Sequence, residues 1–203
     1  MTVGAEPPVD VDVLRREIAT TYTEVSTEPG QDFIFPTGRA WAQELGYPEP
    51  ELERVPEESA ASFAGVANHW QHGRVQPGEV VLDLGCGAGT DLLIAAQMTG
   101  ASGRAVGIDM TTSMLDRARA SAEAMGLNNV ELHESLIEEL PLATDSVDVV
   151  ISNGVIDLVP DKEAVFAEID RVLRPGGRLQ LADVVIRHEV SEDARRRIDL
   201  WTG

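Results

Sequence analysis

Asp83, Gly85, Gly87 and Gly89 fall within the run Val80-Val81-Leu82-Asp83-Leu84-Gly85-Cys86-Gly87-Ala88-Gly89-Thr90. Three apolar residues, an acidic one and then alternate glycines describe a buried strand that breaks into a tight turn. A ligand can lie almost against such a turn, because glycine leaves no side chain in its way. From Asp91 to Met98 the sequence resumes as a helix with Leu92, Leu93, Ala95 and Ala96 available for packing. The turn therefore sits at a helix N-terminus, whose free N–H groups favour a carboxylate or phosphate. Strand, turn and helix together predict a nucleotide site. The spacing is a poor fit to a dinucleotide fingerprint, since counting Gly-x-Gly-x-x-Gly from Gly85 ends on Thr90.

The elements that position this turn alternate. Strands are expected at 80–84, 104–108, 130–134, 147–152 and 178–185, with helices at 91–99, 112–125 and 162–173. Such alternation implies a parallel sheet covered by helices. The 112–125 helix buries Met114, Leu115, Ala118, Ala122 and Met125 and stops at Gly126. The 162–173 helix takes Asp161 as its N-cap and buries Val165, Ile169, Val172 and Leu173. Arg174-Pro175-Gly176-Gly177 reads as a turn. Residues 1–62 differ in texture, being acidic and punctuated by proline, and are expected to form a helical N-terminal arm or lid on a core of residues 63–203. Leu14, Ile18 and Tyr22 recur at four-residue intervals, as in an amphipathic helix. The aromatic pair Phe33 and Phe35 reads as packing between arm and core rather than as a ligand cover.

Composition narrows the function classes. The chain has 203 residues, 43% of them hydrophobic, enough for a sizeable core. Sixteen Lys and Arg against 35 Asp and Glu give a net charge of −19, which repels polyanions and argues against a nucleic-acid partner. A small-molecule substrate fits better. The single cysteine, Cys86, excludes an internal disulfide, and no apolar run approaches the roughly 18 residues needed to span a membrane. With no segment of signal-peptide character, a cytoplasmic protein is expected.

The pattern Asp-x-Gly-x-Gly-x-Gly at 83–89 resembles the first motif of the class I S-adenosylmethionine (SAM) methyltransferases. Over residues 60–203 the chain is similar to the arsenite methyltransferase branch of that family. The likeness is carried by Ser62-Phe63-Ala64-Gly65, Gly107-Ile108-Asp109-Met110-Thr111, the run from Ile151 to Lys162 and Leu181-Ala182-Asp183-Val184. It implies an α/β, Rossmann-like, doubly wound, mainly parallel sheet with SAM as cofactor and S-adenosylhomocysteine as product. Gly85, Cys86, Gly87 and Gly89 would lie along the methionine part, and Asp83 would order the turn or receive the amino group. Asp109 would accept hydrogen bonds from the ribose, Met110 would cover the adenine, and Asn153 would lie beneath the sulfonium.

Three departures accompany the resemblance. Where the branch carries a thiolate after Ser-Asn this chain has Gly154, so the soft donors that trivalent arsenic requires are missing. Leu136 stands where many relatives place a carboxylate for the adenine amino group, which leaves apolar contact from Leu136 and Ile137. The family's terminal antiparallel strands have no counterpart before the chain stops at Leu200-Trp201-Thr202-Gly203. The exposed edge left at 178–185 predicts a homodimer.

Methyl transfer from a sulfonium needs alignment more than acid or base, so no catalytic residue is assigned, and no metal site is expected. Asp157, Asp183 and His69 are the candidates for a general base should the acceptor be a hydroxyl. His69 and His72, flanking Trp70, read as surface or packing residues more readily than as a border of the acceptor pocket. Cys86 reads as a small turn residue, since nothing supplies it with a base. His133 and His188 read as solvated strand ends, and Glu57-Glu58 and Glu138-Glu139 as solvated faces. The expected function is SAM-dependent methylation of a small acceptor. The alternatives are a silent SAM-binding module and a nicotinamide-dependent oxidoreductase.

Overall fold

The computed structural model describes residues 9–31, 33–188, 191 and 197. The arm comprises four helices, α1 (Val11–Thr27), α2 (Arg39–Glu44), α3 (Glu49–Leu52) and α4 (Glu57–Ala60), followed by a 3-10 turn at His69–His72. Beyond it run β1 (Val80–Leu84), α5 (Thr90–Thr99), β2 (Arg104–Asp109), α6 (Thr112–Ala124), β3 (Val130–Glu134), β4 (Val147–Asn153), α7 (Lys162–Val172) and β5 (Leu173–Ala182). The strands form one parallel sheet in the order β3-β2-β1-β4-β5. The order reverses at β1 and β4, and a crevice opens there beyond the carboxyl ends of the strands.

Alternation along the strands divides the core into two layers. On one face Val81, Ala105 and Ile151 meet α5, and the same buried cluster takes in Ala42, Tyr47, Leu52 and Val55 of the arm. On the other face Leu82, Leu84, Val106, Ile108 and Val150 meet Val165, Ile169 and Val172 of α7. Helix α5 is buried on nearly every side, between the sheet and the arm, and its sequence is correspondingly apolar all round. The Asp10 carboxylate caps α1 by accepting from Asp12 and Val13 N–H, and Asp161 caps α7 by accepting from Ala164 N–H.

Two expectations are corrected at β5. The stretch Arg174–Gly177 is not a separate turn before the strand but an irregularity within it. Val147 pairs with Leu173 and Val149 with Arg178, so the intervening residues loop out at a bulge where Gly176 has φ +85°. The strand also ends at Ala182 rather than 185. There the Asp183 carboxylate turns back to accept hydrogen bonds from Ile156 and Asp157 N–H (3.0 and 3.3 Å), which pins the chain away from the sheet. Val184, Val185 and Ile186 follow as exposed apolar residues. Among the described residues the sheet contains no antiparallel strand, and Leu200–Gly203 lie outside them.

Candidate active site

A cleft of about 1040 Å³, counting the part open to solvent, lies over the carboxyl ends of β1, β2 and β4. Asp83, one residue before the end of β1, is only 3% exposed. It accepts a hydrogen bond from Leu92 N–H, while its Oδ2 has no partner. Burial, followed by the charges of Asp91 and Asp109, raises its carboxyl well above the usual carboxylate range. Asp109, at the end of β2, accepts from Gly87 N–H (2.9 Å) through Oδ2 and from Thr111 N–H (2.8 Å) through Oδ1. The Thr111 side chain and Met110 N–H bond to the same carboxylate. Burial pushes Asp109 up as well, against those backbone N–H groups.

The glycine turn divides by role. Gly85 (φ +64°) and Gly87 line the cleft, and a Cβ on Gly85 would fall 2.5 Å from Val155 Cγ2. Gly89 does not line it. Its αL backbone (φ +92°) begins α5, and its bare Cα faces Ala118 of α6, where a Cβ would come within 2.9 Å. Gly89 permits close helix packing rather than ligand approach. Cys86 lines the cleft with a thiol that burial, Asp109 and Asp83 push up, so it is held as a neutral turn residue. Met110, Leu136 and Ile137 form one wall.

Asn153 also lines the cleft, yet its amide is spent elsewhere. Its Oδ1 accepts from Val66 N–H (2.8 Å), while Nδ2 donates to Tyr47 Oη (2.7 Å) and Ala67 carbonyl (2.9 Å). It ties the 65–68 segment to the end of β4. Gly154, beside it, points its vacant Cβ direction at Val66 Cγ1, 3.0 Å away.

Asp91 is the residue that sequence reasoning missed, having counted it only as a helix start. Its carboxylate accepts from Tyr47 Oη (3.0 Å) and from Trp70 Nε1 (2.9 Å), with His69 Nε2 3.1 Å away. His69 and Trp70 are thus buried partners of Asp91 and do not line the cleft, and His72 is exposed. The residues that roof the cleft were not named from the sequence either. Helix α1 crosses the cleft with Arg15, Ile18 and Tyr22, packing Leu14 and Ile18 against Leu158 and Met110, and Val25 against Ala88 and Met114. Phe33 and Phe35 stack beside Tyr22 and do not line the cleft. Arg15 donates to Glu138 (3.1 Å), so Glu138 is not a solvated face but part of the cleft wall, drawn inward by that cation. His133 Nε2 lies 2.7 Å from Glu131 and is only partly exposed.

Among the described residues the cleft is therefore lined by four carboxylates, Asp83, Asp91, Asp109 and Glu138, and its single lining cation, Arg15, is paired with the last of them. That surplus suits a ligand carrying positive charge. The family model of the methyltransferase domain matches residues 76–201. The chain belongs to the methyltransferase domain family. An arsenite methyltransferase of Halobacterium salinarum is 40% identical to this methyltransferase domain over 167 residues, 82% of this chain and 42% of its own. One from Rattus norvegicus is 37% identical over 168 residues, 76% of this chain and 44% of its own. The crystal structure of an arsenic(III) S-adenosylmethionine methyltransferase from Chlamydomonas reinhardtii matches with a TM-score of 0.65 at 33% identity. It covers 78% of this chain and 53% of that one. The chain thus spans less than half the length of the curated relatives named.

The cofactor of this class is SAM, whose ammonium and sulfonium fit a cleft with an orphaned Asp83 Oδ2. A pH dependence follows for the methyltransferase domain. Asp83 and Asp109 are raised, and Asp157 is raised to about 7 by burial, then by the charge of Asp183 and a hydrogen bond to it. Between the unfolded carboxylate range and about pH 7 the folded state binds more protons than the unfolded chain, so stability falls as pH rises. Glu79, Asp148 and Glu168, lowered by hydrogen bonds and Arg partners, lose their contribution only on acidification below about pH 4.5. Thermal melts should accordingly peak near about pH 5 and decline towards pH 8. Saturating SAM should flatten that decline, because a bound cation stabilises the ionised carboxylates.

Proposed function

We propose that the chain transfers a methyl group from SAM to a small-molecule acceptor. The observation that carries the reading is the unpartnered, enclosed Asp83 Oδ2 near the end of β1, one strand from Asp109, which lines the same cleft. In this reading the ammonium of SAM meets Asp83, the ribose hydroxyls meet Asp109, and the methionine chain lies along Gly85, Cys86 and Gly87. The adenine sits among Met110, Leu136 and Ile137, and Asn153 backs the methyl centre while holding the arm in place.

SAM arrives with its electrophile already activated, so the protein's task is to align donor and acceptor and exclude water. Helix α1 supports the second task by roofing the cleft. Trivalent arsenic is not the acceptor proposed. The only thiol is buried in the cofactor turn, and Gly154 and Val66 present hydrogen and methyl groups to each other where soft donors would be needed.

The remaining expectations belong to the same proposal. Residues 1–62 act as an arm on a core of 63–203. Among the described residues β5 is an edge of the sheet, and a second copy would pair there; the partners include no nucleic acid, and the setting is cytoplasmic. No described helix is long and apolar enough to cross a membrane.

Calorimetry with SAM, S-adenosylhomocysteine and NADH tests the cofactor. Binding of the first two without NADH is expected, and NADH binding without S-adenosylhomocysteine would overturn the reading. Turnover of methyl-labelled SAM across phenols, amines and thiols separates an enzyme from a silent binding module.

A further inference from the structure

Tyr22 is the polar group of the cleft that the cofactor does not explain. It projects from α1 between two apolar patches. One joins Leu14 and Ile18 to Leu158 beyond β4, and the other joins Val25 to Ala88 and Met114 beside the glycine turn. Its ring is fixed by stacking on Phe35, with centroids 6.2 Å apart and planes 18° apart, and Phe35 stacks in turn on Phe33. Tyr22 lines the cleft, and its hydroxyl makes no hydrogen bond among the described residues. Burial, and after it the charges of Asp157, Asp109 and Asp183, push the phenol up, so the group stays a hydrogen-bond donor.

The surroundings limit what that donor can meet. Every charge acting on Tyr22 is a carboxylate. Arg15 is engaged by Glu138, and Lys162 Nζ donates to the carbonyls of Asp157 and Val159. Ile18, Val155, Leu158 and Val159 make the neighbouring wall apolar. An anionic acceptor would face repulsion and desolvation together, whereas an apolar, uncharged one would face neither.

We propose that Tyr22 is an acceptor-positioning residue whose hydroxyl donates a hydrogen bond to one lone pair of the nucleophilic oxygen of an uncharged, largely apolar acceptor, leaving the second lone pair for the methyl group. This rests on the methyltransferase reading above. In the transfer, a lone pair of that atom forms the new bond to the methyl carbon, and the carbon–sulfur bond breaks with its electrons left on sulfur. The acceptor's proton is released to solvent, so atoms and charge balance without a further protein group.

The experiment compares the wild-type chain with Tyr22→Phe, which keeps the stacked ring. S-adenosylhomocysteine binding is measured by calorimetry, and labelled-methyl transfer is measured on uncharged phenols against their carboxylated counterparts. Wild type should prefer the uncharged acceptors by at least about tenfold in kcat/KM. Tyr22→Phe should bind S-adenosylhomocysteine within about twofold of wild type and raise the acceptor KM by about tenfold, the loss of one hydrogen bond. A preference for carboxylated acceptors, an unchanged KM, or a tenfold loss of S-adenosylhomocysteine affinity in the variant would each overturn the proposal. So would a wild type that binds S-adenosylhomocysteine yet methylates none of the uncharged acceptors. A wild type that binds no S-adenosylhomocysteine would instead overturn the methyltransferase reading itself.

Discussion

Asp109→Ala is expected to weaken S-adenosylhomocysteine binding by about 100-fold, roughly 2.7 kcal/mol. Two contributions add. A carboxylate accepting from two ribose hydroxyls makes charge-assisted bonds, about 1.5–3 kcal/mol for such a bond in a dry site. The same carboxylate holds Gly87 N–H at 2.9 Å and Thr111 N–H at 2.8 Å, so its removal also frees the turn that forms the floor of the cleft. Asp109→Asn separates the two. The amide oxygen can keep one backbone N–H and accept from one hydroxyl, and a loss nearer tenfold is expected. Calorimetry on both variants reads the difference. Equal, small losses would mean that the ribose lies elsewhere.

Much of this site could be read from the chain because its parts are local. The apolar run of β1, its aspartate and its glycines are consecutive, and Asp109 follows directly on an apolar strand, so spacing alone places them at strand ends that the parallel sheet brings together. What could not be read depends on who packs against whom. Gly89 looks like its neighbours in sequence, and only the approach of Ala118 distinguishes its role. Tyr22 was visible as one step of a four-residue periodicity, but nothing local says that α1 crosses the cleft rather than a bare face of the sheet. Glu138 resembles Glu139 until Arg15 selects it. The misread start of β5 has a similar origin. Pro175, Gly176 and Gly177 have the composition of a turn, yet the pairing of Leu173 with Val147 holds them within the strand as a bulge.

Asp91→Ala should be the most damaging single change to stability, at about 3–5 kcal/mol. The carboxylate is the common acceptor for Tyr47 Oη and Trp70 Nε1, and Asn153 Nδ2 lies 3.3 Å from it. Truncation leaves the Tyr47 and Trp70 donors enclosed without a partner, each costing about 1–3 kcal/mol in lost solvation, while Asn153 Nδ2 keeps Tyr47 Oη and the Ala67 carbonyl. Tyr47 and Trp70 precede the sheet, whereas Asp91 begins α5, so the loss falls on the junction between the arm and the core. One effect opposes it. Asp91 is the largest charge acting to raise Asp83, and its removal relieves that repulsion. The relief is the smaller effect, because burial is the leading cause of the Asp83 shift and persists. Asp91→Asn tests the balance, since its amide oxygen still accepts from one donor while the charge is gone, and about half the loss is expected. The melting temperature should fall by roughly 10 °C in the alanine variant. Proteolysis should cut the arm before the sheet, and the fluorescence of Trp70 should shift to the red as its indole meets water. If the alanine variant melted with wild type, the arm would be held by its apolar contacts alone, and the buried carboxylate would have no structural part.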